Sequence, residues 1–382
     1  MKLRIGGFFS GIGAHISACE KLKDRADFQY VFQCEIDKKT AQANDDIHGA
    51  IPNLGDITQV HDLNGALAVD ILYWTPPCQD ISIARAGNIP GNAKGSGTRS
   101  SLAYEVPRIL SATKEEDRPK YLVMEEVPTM ITKFKSNFDA LLAELSEIGY
   151  HHEYGIINAT DCGIPQSRRR AFMVSKLHGP APQLPAPIPL NTCMRDYLDP
   201  EPLPQEYYVT QTRLEGMILS TKKERAKGHG FSFNPTDGRG VAKTITAAAG
   251  SRKTDNYLLE RPSGIIRAAT LQTFSLDHMN RVYSPKGNCP TIATISGGGL
   301  EPKIMRNADK ERTRITKLTE HECLLLQGFS PSEADCLVKA VDNNGRRKYP
   351  KSVCYRFAGN AVCVNCFERI TEQILNDLEG SA

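Results

Sequence analysis

Cys78 lies in the run Asp70-Ile-Leu-Tyr-Trp-Thr-Pro-Pro-Cys-Gln, and a thiol in that setting can act as a nucleophile. The apolar stretch Ile71–Trp74 predicts a short buried strand. Pro76 and Pro77 stop it, because neither can donate to a sheet ladder. The thiol is then presented on a stiff turn at the carboxyl end of a strand, the edge where open α/β sheets bind ligands. The competing reading is a buried small hydrophobe, the usual fate of a free cysteine. Its titratable company elsewhere in the chain includes Glu125 and Glu126, at the end of the apolar run Tyr121-Leu-Val-Met, and Arg168 and Arg170, one residue apart. The bland alternative for Glu125 and Arg170 is an ordinary ion pair.

A second group of residues describes an adenosine site. Phe8-Phe9-Ser10-Gly11-Ile12-Gly13-Ala14 joins a first strand to a first helix, and its glycines let a ligand approach the backbone near a helix N-terminus. The pattern is not the full GxGxxG, and a lone GxG is weak evidence. Glu35 follows the second strand, where an acid can accept both hydroxyls of a ribose. Asp56, in Leu-Gly-Asp-Ile, is expected after a third strand, placed to accept an exocyclic adenine amine. No Lys follows the glycine loop to hold phosphates, which disfavours a nucleoside triphosphate.

The elements that must position these groups alternate. Strands are expected at residues 3–9, 28–34 and 121–125, and helices at 12–22, 38–45 and 138–145; the alternation predicts a parallel, doubly wound α/β sheet. The pattern breaks at Gly179-Pro-Ala-Pro-Gln-Leu-Pro-Ala-Pro-Ile-Pro, an extended, semi-rigid connector. Short strands, glycines and basic residues follow, with little helical periodicity. Helical patterning returns at 319–327 and 361–378. Lys243-Thr-Ile-Thr-Ala-Ala-Ala-Gly and Pro290-Thr-Ile-Ala-Thr-Ile-Ser-Gly echo each other, as duplication or as coincidence.

At 382 residues the chain is long enough for two domains, and its net charge is only +3. Residues 207–306 hold 15 Lys and Arg against 7 Asp and Glu, a net of +8, so the rest carries −5. A basic middle in a mildly acidic chain fits a polyanion-binding lobe or a merely solvated face. No apolar run is long enough to cross a bilayer. The glycine motif begins too early to leave room for a signal peptide. Eleven cysteines without framework spacing argue for a reducing compartment, and a lone Cys363-Val-Asn-Cys366 argues against structural zinc.

Taken together and in order, these motifs resemble those of the DNA (cytosine-5) methyltransferases that use S-adenosylmethionine, nearly end to end. Phe9-Ser-Gly-Ile-Gly-Ala resembles the first cofactor motif, and Glu35-Ile36-Asp37 and Gly55-Asp56-Ile57 the second and third. Pro77-Cys78-Gln79 resembles the nucleophile motif; Glu125-Glu126-Val127 stands where the family has Glu-Asn-Val; Gln166-Ser-Arg168-Arg-Arg170 matches Gln-x-Arg-x-Arg. Residues 318–329 resemble the ninth motif and Gly359-Asn360-Ala361-Val362 the tenth.

The resemblance implies a Rossmann-like methyltransferase sheet with a smaller, β-rich inserted target-recognition domain. The implied division is catalysis at 1–178, recognition with its proline-rich hinge at 179–335, and a return segment at 336–382. It implies that Cys78 adds to C6 of a flipped cytosine, making C5 nucleophilic toward a sulfonium methyl. Glu125 would then serve N3, and Arg168 and Arg170 would donate to the base carbonyl and to phosphate. Cofactor contacts are implied for Phe9, Gly11, Ile12, Gly13, Glu35, Ile36, Asp56, Ile57, Pro77, Asn360 and Val362. DNA contacts are implied for Gln79, Ser82, Arg85, Arg99, Arg239, Lys243, Arg252 and Arg281. The loop 80–101, with four glycines and three cations, would close on DNA; the alternative is an inert surface loop. The implied setting is a monomer acting on double-stranded DNA, without membrane contact, in the cytoplasm of a bacterial or phage-infected cell, with or without a cognate restriction endonuclease.

Two other readings compete. One is the related tRNA cytosine-5 methyltransferase family, which lacks a reason for a large basic, β-rich insert. The other is a cofactor-binding regulator without catalysis, which has no need of Cys78, Glu125, Arg168 and Arg170. The chain also departs from the family at Glu126 and Gly7. Glu126, in place of asparagine, either raises the pKa of Glu125 by repulsion or points away to a cation. Gly7 replaces a commonly acidic residue.

Overall fold

The computed structural model describes residues 1–78, 80–81, 91–200, 203–227, 232–259 and 315–380, and the backbone of three short strands between 267 and 304. It divides into a larger unit (Met1–Asp199, Gly240–Asp255, Thr319–Ala382) and a smaller one (Pro200–Arg239, Asn256–Leu318).

The larger unit opens β1 (Lys2–Phe8), α1 (Ala14–Glu20), β2 (Asp27–Cys34), α2 (Lys38–His48), β3 (Ile71–Trp74), α3 (Glu105–Ala112), β4 (Tyr121–Glu126), α4 (Thr129–Thr132), α5 (Lys135–Glu147), β5 (Tyr150–Asn158), β6 (Gln166–Ser167) and β7 (Arg169–Leu177). Six strands form one sheet in the order β2-β1-β3-β4-β7-β5. All four residues of β3 are buried. Leu72 and Trp74 face a core with Val106, Ile109 and Leu110 of α3 and Phe138 and Leu141 of α5. Tyr73, between them, meets Cys19 of α1 on the opposite face. Helices on both faces explain why this strand reads as an unbroken apolar run.

The sheet is mixed, which corrects the expectation of a parallel one. β1 pairs parallel with β2 and β3, and β3 with β4. β7 runs antiparallel to both β4 and β5. Only residues 159–168 separate β5 from β7, too few for the crossover that a parallel pair needs. Asp56 also follows no third strand. It caps a turn of 3-10 helix at Ile57–Gln59, and Asn53 before it makes a single bridge to Gln33.

The smaller unit holds α6 (Gln211–Ala226), which the sequence reading missed. Its apolar residues do not share a stripe: Met217 is buried, but Ile218 and Leu219 are exposed. β8 (Ala242–Lys243) belongs to the larger unit and pairs with β6. Within the smaller unit, β9 (Tyr257–Leu259) pairs antiparallel with β13 (Ile315–Lys317). β10 (Arg267–Thr270), β11 (Arg281–Tyr283) and β12 (Lys303–Ile304) form a second small sheet. Met217 of α6, Tyr257 of β9 and Ile315 of β13 form a buried cluster, with Val209, Leu214 and Phe233 against them. The insert is therefore discontinuous, at 200–239 and 256–318, where the sequence predicted an unbroken 179–335. The first member of the internal echo falls in the larger unit; the second lies outside the described residues.

The chain ends in the larger unit with α7 (Glu320–Leu325), α8 (Pro331–Val338), α9 (Lys351–Asn360) and α10 (Val364–Gly380). No helix among the described residues is long and apolar enough to cross a membrane.

Candidate active site

Cys78 follows β3 by four residues, at the carboxyl end of the parallel half of the sheet. Two polar residues that the sequence reading passed over hold its turn. Ser100 Oγ donates to Pro77 O at 2.6 Å and accepts the Asp80 N–H at 3.3 Å. The Asp80 carboxylate accepts the Arg99 N–H at 2.8 Å. No local spacing signals such a contact across 20 residues. Gln79, Ser82 and Arg85 lie outside the described residues, as does most of the first half of the loop expected to close on DNA. In the second half, Lys94 is tied to Glu144 at 2.7 Å. The Arg99 side chain is largely exposed, its Nε 3.9 Å from Asp80.

β3 and β4 are neighbours with Trp74 opposite Met124, which brings Glu125 and Glu126 beside the cysteine. On β7, Phe172 is opposite Glu125. Arg170, two residues back, therefore shares the face of Glu125, as diagonal pairs do. Its Nε sits 3.0 Å from Glu125 Oε1, both side chains mostly buried. Burial pushes the Glu125 carboxyl up, against the pull of Arg170 and then Arg168.

Arg168 departs from its expected role. Its guanidinium donates to the carbonyls of Ile245 (3.0 Å), Gly359 (3.1 Å) and Ala361 (2.8 Å). Nε alone is buried without a partner. Those carbonyls lie in the segment after β8 and at the C-terminal end of α9, so three of the fork's five donors serve as a backbone brace. Gln166 acts beside it, accepting the Ile245 N–H at 3.0 Å and donating to Leu326 O at 2.7 Å. Its place in the Gln-x-Arg-x-Arg pattern was the signal that could have found this.

Glu126 is 2% exposed, and its Oε2 accepts the Val127 N–H at 2.6 Å. No ion pair to it is found among the described residues. Burial, with Glu125 adding to it, holds Glu126 well above the usual carboxylate range. Burial also pushes the Cys78 thiol up to about 12, with Glu126 and Glu125 adding and Arg170 and Arg168 opposing. These surroundings therefore favour the thiol over the thiolate.

On the other side of β1, Phe9 adopts φ 55° and Gly11 and Gly13 follow at 56° and 79°. Thr75 Oγ1 holds the strained Phe9 by donating to its carbonyl at 2.8 Å. A Cβ at Gly11 would meet nothing within 4 Å, which leaves the loop open to a ligand. Glu35 Oε2 accepts the Gly11 N–H at 3.1 Å and Oε1 the Asp37 N–H at 2.9 Å. Each oxygen keeps a lone pair for a further donor. Ile36 beside it is 70% exposed. Asp56 Oδ1 accepts from Thr58. Ile12, Ile57 and Val362 are buried, while Asn360 is exposed at the end of α9. Gly7 is explained by packing: a Cβ there would stand 2.6 Å from His15 Nε2 and 2.7 Å from Ser10 Oγ.

Of the remaining predicted DNA contacts, Arg239, Lys243 and Arg252 are exposed. Arg239 lies in the smaller unit and the other two in the larger. Arg281 is on β11, of which only the backbone is described. Among the described residues no group of three or more His, Cys, Asp or Glu could hold a metal ion.

Residues 3–376 match the family described as C-5 cytosine-specific DNA methylase. The orphan methyltransferase M.SssI of Spiroplasma monobiae is 38% identical over 323 residues, covering 84% of this chain and 70% of that protein. The type II methyltransferase M.HhaI of Haemophilus parahaemolyticus is 29% identical over 382 residues, covering 98% and 95%. Among solved structures, Entamoeba histolytica methyltransferase EhMeth superposes with TM-score 0.69 at 16% identity, covering 99% of both chains. The S. pombe Dnmt2 methyltransferase gives 0.65 at 15%, covering 98% and 99%; these two speak to the fold alone.

Proposed function

The chain belongs to the C-5 cytosine-specific DNA methylase family, and from that premise we propose that Cys78, Glu125 and Arg170 are the residues with which it methylates C5 of cytosine in DNA. The observation that carries the assignment is the Cys78 turn at a strand end beside the buried Glu125–Arg170 pair. Addition of the Cys78 sulfur to C6, with its thiol proton passing to solvent, converts the ring to an enamine and makes C5 nucleophilic. Charge then gathers at N3, where Glu125 supplies a proton. Arg170 orients that carboxyl and takes up its charge once the proton has left. Loss of the C5 proton to solvent, return of the N3 proton to Glu125 and breakage of the C6–S bond, with the sulfur taking a proton from solvent, restore the thiol and the acid.

S-Adenosylmethionine, when bound, supplies an electrophilic methyl on a sulfonium. The residues present fit it. The open side of Gly11, the spare lone pairs of Glu35 and the exposed Ile36 form a cradle for an adenosine. Ser100, Asp80 and Thr75 keep the two loops in place. Arg168 is assigned to positioning, because its donors are held by backbone carbonyls. The smaller, basic unit is assigned to target recognition, with Arg239 as a contact to phosphate or base. A monomer in the cytoplasm of a bacterial or phage-infected cell, with or without a partner endonuclease, fits this assignment.

The test uses tritiated cofactor and three substrates: duplex DNA, tRNA, and a duplex carrying 5-fluorocytosine. The wild-type chain should label duplex DNA and be trapped covalently by the fluorinated duplex. Cys78→Ser should bind cofactor and DNA, transfer no methyl and form no trapped complex. Turnover by Cys78→Ser near the wild-type rate would remove Cys78 from the nucleophile's role, and label entering tRNA alone would point to the other substrate.

A further inference from the structure

The chain first leaves the larger unit after Asp199 and last returns at Thr319. These two points, 120 residues apart, are tied by direct hydrogen bonds. The Asp199 carboxylate accepts Thr319 Oγ1–H at 2.6 Å and His321 Nδ1–H at 2.7 Å. The Asp199 N–H donates to Glu322 Oε1 at 2.8 Å, and the Thr319 N–H to Glu322 Oε2 at 2.8 Å. Thr319 is also the N-cap of α7, accepting the Glu322 N–H at 3.0 Å. One compact group thus fixes the exit of the chain, its return and the start of the helix that follows. His321 Nε2 is buried without a hydrogen bond, 3.5 Å from the Asp335 carboxylate. Asp335 is in turn held by Lys339 at 2.7 Å. A ring between two carboxylates favours the cation.

We propose that His321, acting through Asp199, is a positioning residue that clasps the exit and return of the smaller unit and thereby sets how tightly the enzyme holds duplex DNA. The proposal rests on the assignment of the smaller unit to target recognition. The groups facing the ring are Asp199 from the connector and Asp335 and Lys339 from α8 and its end; Glu322 lies on its own helix. The Asp199 bond raises the His321 pKa, burial opposes it, and Asp335 adds to it. A histidine whose folded value is raised contributes fully below its ordinary pKa and loses that contribution as pH rises through the folded value. Burial pushes Glu322 up to about 7, so its titration overlaps the range measured, and His321→Arg, which leaves Glu322 in place, separates the two groups.

The experiment is steady-state methyl transfer at pH 7 to 9.5 with the full chain, for the wild type, His321→Arg and His321→Gln. KM for duplex DNA and kcat are measured separately. Cofactor affinity is followed by calorimetry and the fold by circular dichroism. Loss of one charge-assisted bond at the clasp should raise the wild-type KM for DNA about tenfold across the range, with kcat and cofactor affinity unchanged. His321→Arg, a permanent cation, should keep KM low and flat. His321→Gln should start high at pH 7 and stay flat. A wild-type KM that does not change, or a His321→Arg variant that follows the wild-type rise, would overturn the proposal. If His321→Gln fails to fold, the comparison with His321→Arg still decides. If the wild type methylates no duplex DNA, the functional assignment fails instead. Amide exchange at Thr319 then tests the clasp by itself: it should quicken above pH 7 beyond the ordinary base-catalysed rise in the wild type but not in His321→Arg, and equal exchange would reject it.

Discussion

Cys78, Glu125 and Glu126 share one buried corner, and only one of the two acids has a cation. Arg170 is committed to Glu125 at 3.0 Å, while Glu126 meets burial with the Val127 N–H, and burial holds its carboxyl well above the usual range. A protonated carboxyl can donate as well as accept, which restores the donor lost when a carboxylate replaces an amide. The sign for stability follows. Glu126 has a folded value above its unfolded one, so its favourable contribution is full below the ordinary glutamate pKa and is lost as pH rises. Glu126→Gln, neutral at every pH, should melt within a degree or so of the wild type near pH 5. By pH 9 it should melt several degrees above it, as expected for about 1–2 kcal/mol. A difference in melting temperature that is the same at both ends of the range would mean that Glu126 is ionised throughout, and that its proton plays no part.

At the scale of elements, the segment carrying β8 is held against the end of α9 by contacts that have no local period. A Cβ on Gly359 would overlap the backbone of Thr246 and Ala247, and Arg168 bonds the carbonyls on both sides of that contact. Arg168→Lys keeps the charge but loses the planar fork that reaches three carbonyls. Each buried carbonyl left unpaired costs about 1–3 kcal/mol. Arg168→Lys should therefore lower the melting temperature clearly more than Arg170→Lys, whereas Arg170→Lys should lower kcat about 10²-fold or more through Glu125. The reverse order would return Arg168 to the base. The same distinction marks what the sequence made legible. β3 was readable from four apolar residues and two prolines, and Cys78 from its position after them. Glu125 and Arg170 were readable as types, and register brought them together. Antiparallel β7 was missed because a strand's direction depends on connector length, not on its own pattern. α6 was missed because its apolar residues do not form a stripe. Ser100 and Asp80 were missed because side-chain bonds across 20 residues leave no spacing to read.

For the whole molecule, charge divides along the same line as the fold. Residues 200–239 and 256–318 carry 16 Lys and Arg against 10 Asp and Glu, a net of +6, which leaves −3 on the larger unit of a chain at +3. An acidic catalytic unit repels a polyanion unless the basic unit neutralises phosphates first, so affinity for DNA should be governed by salt. Arg239 is suited to such a contact. Its side chain is 69% exposed, and its Nε is 4.0 Å from Asp237, an exposed pair of little worth. If Arg239 meets a phosphate, one fewer counterion is released when it is removed. Arg239→Ala should then lower the slope of log affinity against log salt by about 1. The loss should be equal on a duplex bearing the methylated site, as identified by bisulfite sequencing of host DNA, and on an unrelated duplex. If Arg239 reads a base instead, the slope should hardly move while the target duplex alone loses about 1–3 kcal/mol. The two outcomes separate phosphate anchoring from sequence reading at this position, because phosphate contacts carry no sequence information and base-edge contacts do.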